Sequence, residues 1–331
     1  MSEHDLTFRA MGSEIRLLIG DPVEPGLPSP AEAAARACDF VHAFDERLSR
    51  FRGDSELCAL NADARDAVPA SPLLCSAVAA GVWAAERSGG LVDPTLVGPI
   101  EAIGYRESRK DATPAPLGEA LPCAPVRAPA QPDPHSRWSE IRVDAAAGMI
   151  RRPAGVRFDT GGAGKGLCAD AIAHTLAGYS RFVVDCGGDM RIGGPDAARV
   201  PYHVEIEHPF TRECAATIPV GSGGVATSGI NTRVWRMPDG SYAHHLLNPA
   251  TGRPAWTGLV TATALADTTL EAETLAKTAL LLGPSGARRV LRDRGGAIVH
   301  DDGRVELIGP LQRTPLLHVR VSPPRTQAVA A

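Results

Sequence analysis

The sequence predicts an α+β fold, with a mixed and largely antiparallel sheet and helices packed against it. One observation is a run of alternating apolar residues near the N-terminus, which is typical of a half-buried strand. A second is a set of segments that carry apolar residues at helical spacing. The third is the mixed order of strands and helices in the second half of the chain. A doubly wound parallel sheet requires regular strand–helix alternation, so this order favours the antiparallel arrangement.

The first predicted element is a strand. Residues 6–20 alternate and end in Ile15, Leu17 and Ile19, before a Pro-rich turn at 22–30. A helix is expected to follow that turn.

Two helices are predicted in the first third of the chain. Residues 31–49 carry apolar side chains at helical spacing and charged side chains on the other face. The second helix begins at Ser71, with Pro72 in its first turn, and ends at Gly89 and Gly90. The apolar positions of the first helix are Ala37, Phe40, Val41, Phe44 and Leu48.

Residues 108–135 are rich in Pro, Ala and charge and show no periodicity. They are predicted to form a long surface loop or an insertion within a single domain of residues 1–331. Further helices are expected at about 166–178, at about 268–282 and after Pro284. A hairpin around Asp302 and Gly303 closes the fold. Strands are predicted near residues 140–144, 181–186, 202–207, 215–220 and 261–266.

Composition narrows the class of protein. The 331 residues are 44% hydrophobic and 22% charged, with a net charge of −4 and no basic stripe, which argues against a nucleic-acid partner. Seven cysteines, an odd count without a CxxC pair, are interpreted as reduced. The N-terminus lacks a signal-peptide pattern, and no stretch approaches the roughly 18 apolar residues of a membrane span. A cytoplasmic protein without a membrane span is expected.

The densest motif is FDTGGAGKGLCAD at residues 158–170, where a strand leads through glycines into a helix. Glycines let the backbone approach a ligand, and a helix N-terminus offers free N–H groups to a diphosphate. Asp159 and Gly166 exclude a Walker P-loop. Lys165 is a candidate phosphate partner and Asp159 a candidate acceptor for a ribose hydroxyl or a flavin ring N–H. A tight turn with a solvated lysine is the alternative.

Two other glycine-rich segments are less specific. VVDCGGDMRIGG at residues 183–194 is interpreted as a buried strand that enters a tight turn. GGVATSGINTR at residues 223–233 offers the Ser228 hydroxyl and the Gly229 backbone as a cradle for an oxyanion or a carbonyl. Turn chemistry explains the second segment equally well.

Adjacent histidines, His244 and His245, precede an Asn-Pro turn. Neighbouring residues of a strand point in opposite directions, so at most one imidazole enters a given pocket. The pair does not form the HExxH pattern of a zinc protease. One of them is a candidate general base, with a hydrogen-bonded structural histidine as the alternative.

Taken in order, these segments resemble the ApbE family of FAD:protein FMN transferases. The resemblance runs from about residue 7 to 300, and eight weak motifs in the right order are more specific than any one of them. They are MGS at 11–13, LSRFRGDSELCALN at 48–61, GGLVDPT at 89–95, FDTGGAGKG, VDCGGD, ATSG, HHLLNPATGRP and AETLAKTALLLG at 272–283.

The resemblance implies an ApbE-like fold with FAD lying across the glycine-rich segments. His245 falls at the position of the family's catalytic histidine, the expected base. The positions at which the family contacts the flavin nucleotide are Met11, Phe51, Leu91, Val92, Asp93, Asp159 and Lys165.

The implied reaction is transfer of FMN from FAD to a Ser or Thr hydroxyl of an acceptor protein, with release of AMP. It requires an in-line hydroxyl, a proton acceptor and positive charge on the diphosphate. A protein of the same fold that binds FAD but has lost transfer is the alternative.

The metal positions depart from the family pattern, in which Mg²⁺ is held by a backbone carbonyl of the glycine-rich segment and by Asp and Thr of the late helix. Here these positions are Gly162, Glu273 and Lys277. Glu273 keeps an oxygen ligand. An inward Lys277 would repel the metal or replace its charge, whereas an outward one would form an ordinary surface pair with Glu273.

A further departure is Asn248, which replaces the Asp of the histidine motif. It removes a charge that would orient His245 or raise its basicity.

Overall fold

The computed structural model describes residues 3–109 and 111–313. The chain begins with a hairpin in which β1 (His4–Ala10) pairs antiparallel with β2 (Ser13–Ile19). Met11 and Gly12 form the turn with φ values of 51° and 65°, the left-handed conformation that two-residue hairpins favour. The single strand predicted over 6–20 is therefore two strands. The turn was missed because the alternation continues on both sides of it and methionine is not a typical turn residue.

The helices begin and end close to the positions that capping chemistry predicts. Ser29 and Glu32 form a reciprocal capping box at the first long helix, and Ser71 caps the next one ahead of Pro72. The helices are α1 (Pro30–Leu48), α2 (Glu56–Ala62), α3 (Pro72–Arg87), α4 (Val97–Ala102), α5 (Leu117–Ala120), α6 (Gly164–Thr175), α7 (Pro195–Arg199) and α8 (Thr269–Val290).

The remaining strands are mostly short and concentrated after residue 140. They are β3 (Ala67–Pro69), β4 (Arg142–Asp144), β5 (Met149–Arg151), β6 (Phe182–Cys186), β7 (Met190–Gly193), β8 (Tyr202–Glu207), β9 (Cys214–Val220), β10 (Gly223–Gly229), β11 (Val234–Arg236), β12 (Tyr242–His244), β13 (Leu247–Asn248), β14 (Arg253–Pro254), β15 (Leu259–Ala266), β16 (Gly296–His300) and β17 (Val305–Ile308).

Eight strands of the described part of the chain form one sheet in the order β1-β2-β6-β7-β10-β15-β16-β17. Every neighbouring pair in this sheet is antiparallel. The predicted α+β class and the largely antiparallel sheet are confirmed.

Layers cover both faces of this sheet. Helices α1, α6 and α8 contact one another in sequence and pack on β1–β2, on β6–β7 and on β10 with β15, respectively. The β8–β9 ribbon packs on the other face. Val183 and Val184 are adjacent on β6 and point to opposite faces of the sheet, as strand alternation requires. Val184 packs in an apolar cluster with α1 and α6, and Val183 packs in another with β8 and β9.

The segment 108–135 is only partly the surface loop that its composition predicts. Leu117, Ala120 and Ala130 are buried in the apolar cluster that includes α8, and the Ala130 N–H donates to the Leu281 carbonyl at 2.8 Å. Because prolines and charged residues make up most of the segment, its average composition did not reveal these three buried positions. None of the described helices is long and apolar enough to cross a bilayer.

Candidate active site

A cavity of about 570 Å³ opens between the glycine-rich segment, the end of α1 and the loop before β13. The structure brings most of the residues singled out from the sequence to its wall. Those that line it are Met11, Phe51, Leu91, Val92, Asp93, Asp159, Gly162, Lys165, His245 and Lys277, whereas Ser228, Gly229 and Glu273 do not.

Residues 158–166 form a turn that leads into helix α6. The Asp159 N–H donates to the Pro94 carbonyl at 2.8 Å, and Asp159 Oδ1 accepts from the Gly161 N–H at 2.9 Å. Helix α6 then crosses α8 closely at Gly166, where a Cβ atom would lie 2.7 Å from the Leu270 Cα. Glycine is required there because the two backbones touch.

Lys165, in the first turn of α6, faces the cavity and binds Asp189. Asp189 is 1% exposed and follows the Gly187–Gly188 turn between β6 and β7. Its Oδ2 accepts a short hydrogen bond from Lys165 Nζ, while its Oδ1 is buried without a hydrogen-bond partner among the described residues. Burial opposes the charge of the ammonium, but the Asp189 and Glu273 carboxylates outweigh it and raise the pKa of Lys165. Lys165 is therefore a fixed cation, not a solvated one.

His245 lies among cations on the same wall of the cavity. Burial, followed by the charges of Arg233, Lys277 and Lys165, lowers the pKa of His245 well below its usual 6.5. The imidazole is consequently neutral at neutral pH and has a lone pair for a proton. We call Lys165, Arg233, His245 and Lys277 the cationic side of the cavity.

A different arrangement surrounds Asp159. Arg50 Nε donates to Asp159 Oδ2 at 3.0 Å, and Arg50 Nη1 donates to the Tyr105 carbonyl at 3.0 Å. The guanidinium carbon lies 4.4 Å from the Phe51 ring centroid and 5.3 Å from that of Tyr105. The Arg50 side chain is 5% exposed, and its Nη2 is buried with no hydrogen-bond partner in the described part of the chain. We call Arg50, Phe51, Tyr105 and Asp159 the aromatic side.

Asp93 ties the GGLVDPT turn together. Its Oδ1 accepts from the Thr95 N–H at 2.7 Å and the Thr95 hydroxyl at 2.6 Å, and its Oδ2 accepts from the Ser136 hydroxyl. Both carboxylate oxygens thus hold the loop that carries Leu91 and Val92 to the cavity wall.

A sequence model of the family described as the ApbE family matches residues 11–299. The chain belongs to the ApbE family. The matched residues contain both sides of the cavity, so the assignment covers the site as well as the sheet.

Curated relatives of this ApbE-family chain are named FAD:protein FMN transferase. One from Treponema pallidum is 30% identical over 294 residues, which cover 82% of this chain and 78% of the relative. Another from Klebsiella pneumoniae is 29% identical over 265 residues, 78% of this chain and 73% of the relative. The crystal structure of the ApbE protein from Thermotoga maritima superposes with a TM-score of 0.77 at 23% identity, over 94% of this chain and 98% of that one, and shows the same fold.

The residues present do not fit the Mg²⁺ site that the family resemblance implies. Glu273 is 0% exposed, its Oε1 accepts from Lys277 Nζ at 2.7 Å and its Oε2 accepts from the Gly166 N–H at 2.8 Å. Burial raises the pKa of the Glu273 carboxyl, and the Lys277 ammonium opposes that shift. Within residues 3–109 and 111–313, no group of three or more His, Cys, Asp or Glu side chains is arranged to hold a metal. Gly162 lines the cavity, whereas Glu273 does not.

The Ser228 and Gly229 cradle expected from residues 223–233 is not at the cavity. Both residues belong to β10, paired with Ala262 and Thr261 of β15, and a Cβ at Gly229 would lie 2.5 Å from Asn231 Oδ1. The segment forms a central strand because its small residues suit close packing, which its turn-like composition hides.

Of the two adjacent histidines, His245 lines the cavity and His244 does not, in agreement with the expectation that at most one enters a given pocket. His244 is 0% exposed, stacks edge-on against Trp256 at 4.6 Å and, through burial, has a pKa lowered to about 3. Asn248 Oδ1 accepts from the N–H groups of Gln131 and Ala250 at 3.0 and 3.2 Å, so its side chain holds the turn.

Sequence reasoning missed Tyr105, which lies outside the quoted motifs, and the charged residues Arg50, Asp189 and Arg233. Each of these three charged residues lies inside a quoted motif, so the motif was identified while its charged member was overlooked. Arg50 and Asp159 are 109 residues apart, and Lys165 and Asp189 are 24 apart. The signal available in the sequence was that each of these two pairs joins a basic residue of one motif to an acidic residue of another.

Proposed function

We propose that this chain transfers the FMN part of FAD to a Ser or Thr hydroxyl of an acceptor protein and releases AMP. The observation that carries the proposal is that His245 lies in one cavity with three basic side chains, Lys165, Arg233 and Lys277. The names of the curated relatives support the same reaction. The cytoplasmic location expected from the sequence stays a prediction.

The cationic side supplies what attack on a diphosphate requires. The acceptor hydroxyl attacks the FMN-side phosphorus, a new oxygen–phosphorus bond forms, and the bond to the AMP-side phosphate breaks. A ring nitrogen of His245 takes the hydroxyl proton, since the imidazole is uncharged. Lys165 and Arg233 neutralise charge that grows on the diphosphate oxygens.

The aromatic side holds the flavin nucleotide in this proposal. The Phe51 and Tyr105 rings, with centroids 5.4 Å apart, provide apolar surface, and the Arg50 Nη2 offers a donor that has no protein partner. Met11, Leu91 and Val92 complete the apolar wall. Asp159 keeps Arg50 in place and remains close to the bound nucleotide.

Incubating the purified chain with FAD and an acceptor protein that carries a Ser or Thr target tests the proposal. AMP should appear in step with a gain of one FMN mass on the acceptor, measured by mass spectrometry. Flavin binding without AMP release would favour the binding-only alternative, and no flavin binding would reject both functions.

A further inference from the structure

Lys277 and Glu273 form an ion pair one helical turn apart inside α8. Lys277 is 9% exposed and Glu273 is 0% exposed, so this is a buried pair and not the ordinary surface pair that its spacing also allows. Lys277 lines the cavity, whereas Glu273 lies behind it. The ammonium is therefore the part of the pair that a ligand meets.

Both carboxylate oxygens of Glu273, which a divalent cation would need as ligands, already accept hydrogen bonds. One Glu273 oxygen accepts from the ammonium at 2.7 Å and the other from the Gly166 N–H at 2.8 Å. An ammonium has no lone pair to donate, and its charge repels a second cation at the same carboxylate. Leu281, which also lines the cavity from α8, has an apolar side chain without a ligand atom.

Resting on the proposed function, we propose that the Lys277 ammonium replaces a divalent cation at the FAD diphosphate, so that this enzyme transfers FMN without Mg²⁺. Glu273 fixes the ammonium, and the Gly166 N–H fixes Glu273. Lys165, Arg233 and Lys277 then stand against two carboxylates, Asp189 and Glu273, which leaves one net positive charge for the diphosphate. In this arrangement the bridging oxygen that leaves with AMP is neutralised by a side chain of the protein.

The decisive measurement is AMP release from FAD by the parent protein in excess chelator and across a Mg²⁺ titration. We expect the rate to stay within about twofold throughout, which corresponds to less than one RT unit of coupling. FAD affinity, followed by flavin fluorescence under the same conditions, should also be independent of Mg²⁺. A parent that loses its rate in chelator and regains it with Mg²⁺ would overturn the proposal.

Two variants of Lys277 separate charge from coordination. Lys277→Thr removes the ammonium and adds a hydroxyl, so we expect about a 100-fold loss of rate in chelator and a Mg²⁺-dependent recovery. Lys277→Met should lose as much and recover nothing, whereas Lys277→Arg keeps the charge and should retain transfer without metal. If Lys277→Thr behaves like the parent in the Mg²⁺ titration, the ammonium has no such role.

A folding control is needed because each neutral variant leaves Glu273 buried without its partner. The double variant Glu273→Gln, Lys277→Met keeps the interior neutral and should fold, bind FAD more weakly than the parent and lack transfer at any Mg²⁺ concentration. Transfer by this folded double variant in chelator would contradict the proposal. Absence of FAD binding by the parent would instead reject the proposed function, on which this inference depends.

Discussion

The two sides of the cavity are built from the same kind of ion pair but place it in different surroundings. On the cationic side, Lys165 and Asp189 are joined in an interior where Asp189 is 1% exposed. On the aromatic side, Arg50 and Asp159 are joined next to two rings, and the Asp159 side chain is 23% exposed. In the first pair the carboxylate is the buried member and the Lys165 side chain is 23% exposed, whereas in the second pair the Arg50 guanidinium is the buried member at 5% exposed.

From this difference we infer that the two sides of the cavity contribute unequally to ligand binding and to the chemical step. Charge in a desolvated region acts strongly on a transition state that accumulates charge. Rings and a planar guanidinium recognise shape and offer donors at fixed positions. We therefore expect substitutions on the cationic side to change the rate and substitutions on the aromatic side to change affinity.

The largest expected effect is that of His245→Ala. Without the proton acceptor, transfer should fall by about 10²–10⁴-fold, while FAD affinity stays near that of the parent. Rates of AMP release at saturating FAD and fluorescence titrations measure the two quantities. His203→Ala, at an exposed position of β8, is the control. Retained transfer would remove His245 as the base and would break the division between the sides.

Removing the carboxylate from each ion pair compares the two surroundings directly. Asp189→Asn leaves Lys165 without its buried partner and should cost roughly 3 kcal/mol of unfolding free energy. Asp159→Asn should cost only about 1 kcal/mol, because Arg50 keeps a carbonyl and two rings. Urea unfolding at neutral pH measures both. Equal losses would show that the pairs do not differ in desolvation.

Arg50→Met tests the affinity assigned to the aromatic side. Loss of the unpartnered Nη2 donor should weaken FAD binding by about 1.5–3 kcal/mol and leave the rate at saturating FAD unchanged. Arg47→Met is a matched control, since Arg47 is half-exposed and pairs with Glu56 outside the cavity. A slower rate with unchanged affinity would assign Arg50 to the chemistry instead.

A further prediction concerns pH and the buried His244 beside the cationic side. The folded-state pKa of His244 is about 3 against 6.5 for the unfolded chain, so the folded state binds fewer protons. This contribution is present above pH 6.5 and is lost as the pH falls toward 3, by about 2 kcal/mol at about pH 5. Urea unfolding at about pH 7 and about pH 5 should show a smaller difference for His244→Leu than for the parent. His203→Leu should match the parent, and an unchanged difference in His244→Leu would contradict the assignment.

Helix ends that depend on local capping residues were predictable from the sequence. Helices α1 and α3 begin within one or two residues of the predicted positions because Ser29, Ser71 and Pro72 act through neighbouring backbone groups. The helix predicted at 268–282 and the one after Pro284 are joined in α8 through Gly283, whose φ is 68°. Short strands such as β3 and β11 were not predicted, since three residues carry too little periodicity.

For the candidate site, the sequence identified residues that lie at the cavity but not the side chains with which they pair. The sequence identified Lys165 and His245, and the structure places both on one cavity. It did not reveal that Lys277 points inward, because a Glu–Lys spacing of four is equally compatible with a solvated pair and a buried one. Burial depends on what packs against the helix, and that information is spread over β10, β15 and α6.

The contact between α6 and α8 at Gly166 limits how this site can evolve. There is no room for a side chain between the two backbones, so α6, which carries Lys165, and α8, which carries Lys277, approach each other closely beside the cavity. On the role proposed for Lys277, exchange of its ammonium for a hydroxyl would make dependence on an inorganic cofactor a trait that a single amino-acid replacement gains or loses.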